Sequence, residues 1–155
     1  MTIAVGATLP DASLTLMDGT TASLASFAGT PLVVYFYPKD DTPGCTREAQ
    51  DFTALADAFA AAGVQLLGIS KDTPAKHAKF TAKYGLKVPL ASDDDANTVL
   101  EAFGAWVEKS MYGKSYLGIE RSTFLFDADG KLVRAWRKVK VPGHAEEVLT
   151  AAKAL

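Results

Sequence analysis

An α/β fold, with a central mixed sheet flanked by helices, is what the sequence predicts, and three observations predict it. A continuously apolar run, Leu32 to Tyr37, is rich in β-branched and aromatic residues and reads as a central strand covered on both faces. Strand-like and helix-like stretches then alternate, as a partly parallel sheet requires. Hairpin signals stand towards either end: Asp18-Gly19 between two short strands, and the turn DADG, Asp127 to Gly130, late in the chain.

The elements follow in order. Ser13 to Leu16 and Thr21 to Leu24 form the first hairpin. After the Leu32 strand, Ala49, Phe52, Leu55, Ala56 and Phe59 fall on one helical face, and Gly63 closes that helix. Val64 to Ser70 is a second buried strand. Asp72 and Pro74 start a second helix that stops at Gly85. Val88 to Ser92 is a short strand, and a third helix runs from about Ala96 to Phe103. Ser122 to Asp127 and Leu132 to Trp136 form the late hairpin, and His144 to Leu155 closes the chain as a helix. This order is a thioredoxin-like fold with an N-terminal β-hairpin extension, expected as a single domain over residues 1–155.

Bulk properties narrow the function. Hydrophobic residues make up 48% and charged residues 22%, which fits a folded chain rather than a disordered one. A net charge of -2 favours no polyanion, which argues against nucleic acid. The N-terminal stretch MTIAVGATLPDASL has no basic segment followed by a long apolar one, and no run approaches the ~18 apolar residues of a membrane span. A cytoplasmic protein with no membrane partner is expected. One cysteine in 155 residues allows no intrachain disulfide and no multi-cysteine zinc site.

That cysteine, Cys45, sits in PKDDTPGCT, just past the carboxyl end of the Leu32 strand, where sheets of this kind place their sites. Thr42 can cap a helix whose first residue is Pro43, and Gly44 permits close approach to the backbone. Cys45 then falls in the first helical turn, where unpaired amides and the helix dipole favour a thiolate. The bland alternative is a buried small hydrophobe, the usual state of a free cysteine. Polar neighbours and the strand-end position favour the reactive reading.

The run Pro38, Thr42, Cys45 resembles the peroxiredoxin signature, and YFYPKDDTPGCTREAQDF is most similar to its PrxQ, or bacterioferritin comigratory protein, subfamily. The resemblance continues through GISKDTPAKHAKF, PLASDDD and RSTFLFDADGKL. It implies a thiol peroxidase that reduces hydrogen peroxide and organic hydroperoxides through a sulfenic acid at Cys45. Thr42 would orient the peroxide, and Arg121 would hold the thiolate and polarise the peroxide. Backbone amides near Gly44 and Cys45 would support the developing charge. Pro38 would shield the site, and Glu48 could hold an arginine. No metal or organic cofactor is required. The subfamily resemblance further implies a monomer.

One departure matters. The subfamily usually carries a resolving cysteine, either five residues after the first or in the next helix; this chain has Gln50 and Thr81 there. The expectation is a one-cysteine cycle completed by an external thiol such as thioredoxin, glutaredoxin or a small thiol. Oxidised Cys45 could also join a second chain. An engineered chain whose resolving cysteine was replaced would read the same way. A sulfenic acid without a partner is also more open to over-oxidation.

The remaining polar residues invite blander readings. Arg47 is expected as a solvated helix charge and SDDDAN, Ser92 to Asn97, as a loop and helix cap rather than a metal site. His77, His144 and the loop Lys39 to Asp41 are expected at the surface. The stretch AWVEKSMYGKSYLG, with Trp106, Met111, Tyr112 and Tyr116, reads as a loop that either lines the pocket or covers the core. Two other function classes compete. A thiol–disulfide oxidoreductase is weakened because Thr42 stands where a Cys-x-x-Cys pair would need cysteine. A non-catalytic binding or chaperone module is weakened by the joint presence of Pro38, Thr42, Cys45 and Arg121.

Overall fold

The computed structural model describes residues 3–155; the stretch read as lacking a leader begins at residues 1 and 2, outside the described residues. The strands are β1 (Ser13–Leu16), β2 (Thr21–Ser23), β3 (Leu32–Phe36), β4 (Gln65–Ser70), β5 (Leu90–Ser92), β6 (Trp106–Met111), β7 (Lys114–Ile119), β8 (Ser122–Phe126) and β9 (Leu132–Trp136). The helices are α1 (Pro43–Ala54), α2 (Ala56–Ala61), α3 (Pro74–Tyr84), α4 (Thr98–Ala102) and α5 (His144–Lys153). Seven strands form one mixed sheet in the order β2-β1-β5-β4-β3-β8-β9. β3 pairs parallel with β4 and antiparallel with β8, so it is central, as its apolar run predicts. The thioredoxin-like arrangement with its N-terminal hairpin is therefore the fold of this chain.

Strand β3 divides the core by simple alternation. Leu32, Val34 and Phe36 face one layer with Leu67, Ile69, Phe124 and Phe126, closed by Val99 and Leu100 of α4 and by Phe103 just after it. Val33, Tyr35 and Tyr37 face the other, with Phe52, Phe59, Phe80 and Val148 from α1, α2, α3 and α5. Each fully buried large side chain contributes roughly 1.5–3 kcal/mol. No described helix is long and apolar enough to cross a membrane.

Three departures from the sequence reading have local causes. The first helix breaks at Leu55, whose amide donates back to the Phe52 carbonyl at 3.1 Å and whose ψ of 4° leaves the helical range, giving α1 and α2. α3 starts at Pro74, with Thr73 rather than Asp72 as its cap: the Thr73 hydroxyl accepts from the Lys76 amide at 3.2 Å, while Asp72 turns inward. Its stop is as expected, with Gly85 at φ 60°. The stretch read as a loop is instead the ribbon β6–β7, turned by Tyr112 and Gly113 with φ of 53° and 77°. It stands apart from the main sheet, and Tyr112 at its tip is 97% exposed.

Gly68 in β4 is required by packing. A Cβ there would lie 2.7 Å from Tyr35 Cζ, 2.8 Å from its hydroxyl and 2.9 Å from Leu90 Cδ2. Both side chains are buried, so neither can swing away. Gly68→Ala should cost about 1–3 kcal/mol of stability; an unchanged midpoint in urea unfolding would contradict this packing.

Candidate active site

The carboxyl end of β3 and the start of β8 meet at the site. Phe36 is in register with Ser122, so Arg121, one residue before, lies beside the turn that leaves β3. That turn runs through Pro38 to Thr42 into α1, which begins at Pro43 as expected. The first α1 bond of the i→i−4 kind is Thr46 N–H to Thr42 O at 2.8 Å, so the amides of Gly44 and Cys45 precede the helical ladder.

Cys45 is a free thiol, 2% exposed, within the second core layer. The burial that the bland reading expects is thus present. A charged neighbour accompanies it: Arg121 Nη2 donates to Cys45 Sγ at 3.4 Å. Arg121 Nη1 donates to Glu48 Oε1 at 2.7 Å, so one guanidinium spans the sulfur and a carboxylate. Gly44 makes room for it, since a Cβ there would sit 3.1 Å from Arg121 Nη2. Burial opposes the charge on Arg121, but Glu48 and Cys45 outweigh it and raise its pKa above the usual value.

Glu48 is fully buried, and its Oε2 has no hydrogen-bond partner. Burial pushes its carboxyl up to about 7, against the opposing pull of Arg121. The folded protein therefore holds this proton where the unfolded chain has lost it. Its stabilising contribution is complete below about pH 4.5 and is lost as pH rises through about 7. The unfolding free energy of the parent, measured relative to Glu48→Gln, should fall between about pH 5 and about pH 8. A constant difference in denaturant titrations would mean that Glu48 ionises normally.

Thr42 occupies the residue before α1, but its side chain makes no cap bond. Its hydroxyl donates instead to the Lys39 carbonyl at 2.8 Å, a correction to the capping expectation. Pro38 is exposed at the loop. Arg47 pairs with Asp51 at 3.1 Å on the helix surface, as the bland reading expects. Trp106 packs against the core, whereas Met111, Tyr112 and Tyr116 are exposed on the ribbon. Asp93 accepts from the amides of Val99 and Leu100 at 3.1 and 2.9 Å, so SDDDAN does cap α4. Among the described residues no group of three or more His, Cys, Asp or Glu is placed to hold a metal.

The sequence reading missed a buried network under the loop. Asp40 and His77, both expected at the surface, are buried. Asp40 Oδ1 accepts from the Tyr37 hydroxyl at 2.5 Å, and Oδ2 lies 2.7 Å from His77 Nδ1. His77 Nε2 faces the Ala91 carbonyl at 3.1 Å; that oxygen can only accept, so Nε2 carries a proton. The Asp40 amide donates to Asp72 Oδ2 at 2.8 Å. The loop before Cys45 is thereby tied to α3 and β5. His144 is buried too, 2.8 Å from Thr123 Oγ1, and desolvation lowers its pKa. Asp40→Ala would orphan Tyr37 and His77 at about 1–3 kcal/mol each. Calorimetry should register the loss; a variant as stable as the parent would show that the network carries no load.

Residues 5–135 match the AhpC/TSA family, and the chain belongs to that family. Within it the likeness is to the PrxQ/Bcp peroxiredoxins, and this chain is such an enzyme by descent. It is 54% identical to Peroxiredoxin Bcp of Xanthomonas campestris over 93% of this chain and 89% of the relative. Identity to Peroxiredoxin Bcp of Bacillus subtilis is 46% over 99% of this chain and 97% of that one. A solved structure of the X. campestris bacterioferritin comigratory protein, described for its alkyl peroxide reduction activity, superposes with a TM-score of 0.89 at 49% identity, covering 98% of this chain and 96% of the other. The positions of the usual resolving cysteine carry Gln50, exposed on α1, and Thr81 on α3.

Proposed function

We propose that the protein is a thiol-dependent peroxidase for hydrogen peroxide and organic hydroperoxides, working through a sulfenic acid at Cys45 in a one-cysteine cycle. The observation that carries this reading is the single guanidinium of Arg121 shared between Cys45 Sγ at 3.4 Å and Glu48 at 2.7 Å. It fixes a positive charge where negative charge develops on sulfur and the peroxide oxygens. The alkyl peroxide reduction described for the X. campestris relative supports organic hydroperoxides as substrates.

The thiolate attacks one peroxide oxygen; the S–O bond forms as the O–O bond breaks. The departing oxygen takes a proton and leaves as water or an alcohol. Cys45 is oxidised by two electrons, and the peroxide is reduced. Thr42 has its proton engaged by the Lys39 carbonyl, so Oγ1 turns acceptor lone pairs towards a peroxide proton. The amides of Gly44 and Cys45 supply further donors. Pro38 forms the outer lip of the loop, and Glu48 steadies Arg121. An external thiol then condenses with the sulfenic acid, releasing water, and a second thiol frees Cys45. Thioredoxin, glutaredoxin and small thiols can all supply that chemistry.

Stopped-flow mixing with hydrogen peroxide or an organic hydroperoxide, followed by mass spectrometry, tests the reading. Loss of one thiol with a trapped sulfenic acid is expected. Arg121→Ala should slow that step about 10²–10³-fold. Reaction no faster than a free thiol with every peroxide tried would overturn the proposal.

A further inference from the structure

One cation at the site is set between two acids. Arg121 Nη2 donates to Cys45 Sγ at 3.4 Å, and Nη1 donates to Glu48 Oε1 at 2.7 Å. Cys45 and Glu48 stand three residues apart on α1, so they share a face of that helix. Both are buried, at 2% and 1% exposure. With both ionised, two anions would face one guanidinium, and a net negative charge would lie away from water. With neither ionised, the guanidinium would have no anion. Glu48 Oε2 has no hydrogen-bond partner, so an ionised carboxylate would also leave one oxygen without a donor. The neighbouring groups do not relieve this. Asp51 of α1 adds negative charge near Glu48 and is itself paired with Arg47 at 3.1 Å. Burial, and the Arg121 charge beyond it, push His144 of α5 towards its neutral form. Burial, and after it Glu48, hold the Tyr35 phenol of β3 protonated. Asp57 of α2 is exposed, and Glu147 of α5 pairs with Arg134 at the surface. The arrangement suits two acids that share one proton.

We propose that Glu48 is the proton reservoir of peroxide reduction: it holds a proton while Cys45 is a thiolate and yields it as Cys45 becomes a sulfenic acid. The assignment rests on the one-cysteine peroxidase reading. In the reduced site, Arg121 has the sulfur as its anion and Glu48 is neutral. The sulfenic acid that follows carries no charge. Arg121 then favours the Glu48 carboxylate, and the carboxyl proton is released. The step balances: Cys45 thiolate, protonated Glu48 and a hydroperoxide become Cys45 sulfenic acid, Glu48 carboxylate and an alcohol or water. The S–O bond forms and the O–O bond breaks. Sulfur loses two electrons, the departing oxygen gains them, and the proton taken by that oxygen is matched by the one from Glu48. On reduction, the second external thiol gives up a proton as Cys45 leaves the mixed disulfide as a thiolate. Glu48 takes that proton back. Arg121 thus keeps one anionic partner throughout, and the buried site does not change its net charge.

The test reads the carboxyl itself. At about pH 6, below the value of about 7 to which burial pushes Glu48, the reduced protein is mixed with one equivalent of hydrogen peroxide. With one cysteine in the chain, no intrachain disulfide consumes the sulfenic acid. An infrared difference spectrum should show loss of a protonated-carboxyl band and gain of a carboxylate band, in step with sulfenic acid formation. Isotope-labelled glutamate should shift the lost band, and Glu48→Gln should lack it. In weakly buffered solution with a pH indicator, the parent should take up no proton on oxidation, whereas Glu48→Gln should take up about one for each sulfenic acid formed. A merely structural glutamate would move neither readout. Absence of a protonated-glutamate band in the reduced parent, its survival through oxidation, or equal proton uptake by parent and variant would overturn the assignment. If the variant does not fold, the labelled parent decides by its infrared band alone. Failure of Cys45 to form a sulfenic acid would instead sink the peroxidase reading.

Discussion

The antiparallel register of β8 on β3 is the constraint from which the site follows. With Phe36 opposite Ser122, the residue before β8 lies at the carboxyl end of β3. The side chain there is Arg121, and the chain leaving β3 returns as α1 with Cys45 in its first turn. A slip of one residue would turn every side chain of β8 to the opposite face. Phe124 and Phe126 would leave one core layer and Leu125 the other. Core packing thus enforces the distance between two groups that are 76 positions apart in sequence.

Charge at the site is balanced through a single relay. Arg121 is shared between a sulfur and a buried carboxyl, and that carboxyl has one oxygen without a partner. Burial favours the neutral form of Glu48, whereas the guanidinium favours the charged one. The ionisation of Glu48 therefore sets how much of the Arg121 charge is left for Cys45. A glutamine would hold the geometry and lose this dependence.

Much of this architecture could be read from the sequence, and the exceptions share a cause. β3, β4, the α3 stop at Gly85 and the DADG turn were legible because their signals are local. So was the α1 start at Pro43. The ribbon β6–β7 was not, because WVEKSM and KSYLGI lack an alternating apolar pattern when most of both strands faces solvent. Asp40 and His77 were misplaced at the surface because what makes them buriable is each other, 37 residues apart. The Thr42 hydroxyl had two backbone partners within reach, and composition could not choose between capping and the Lys39 carbonyl. For the site, Cys45 was legible from its turn. Arg121 and Glu48 came from family resemblance, and the structure brings Arg121 to the sulfur and Glu48 to Arg121.

The single, nearly covered cysteine also makes the chain its own gauge of motion. Every thiol-directed reagent meets one target, and that target is 2% exposed. A bulky alkylating agent can therefore react only during excursions that uncover the sulfur. Where labelling outpaces reclosing, its rate is an opening frequency, measured in seconds or hours rather than in ångströms. Asp40 with His77 at 2.7 Å and Asp41 with Lys83 at 2.8 Å hold the loop that leads into Cys45, and the thiol is a built-in clock for the breathing of its own site.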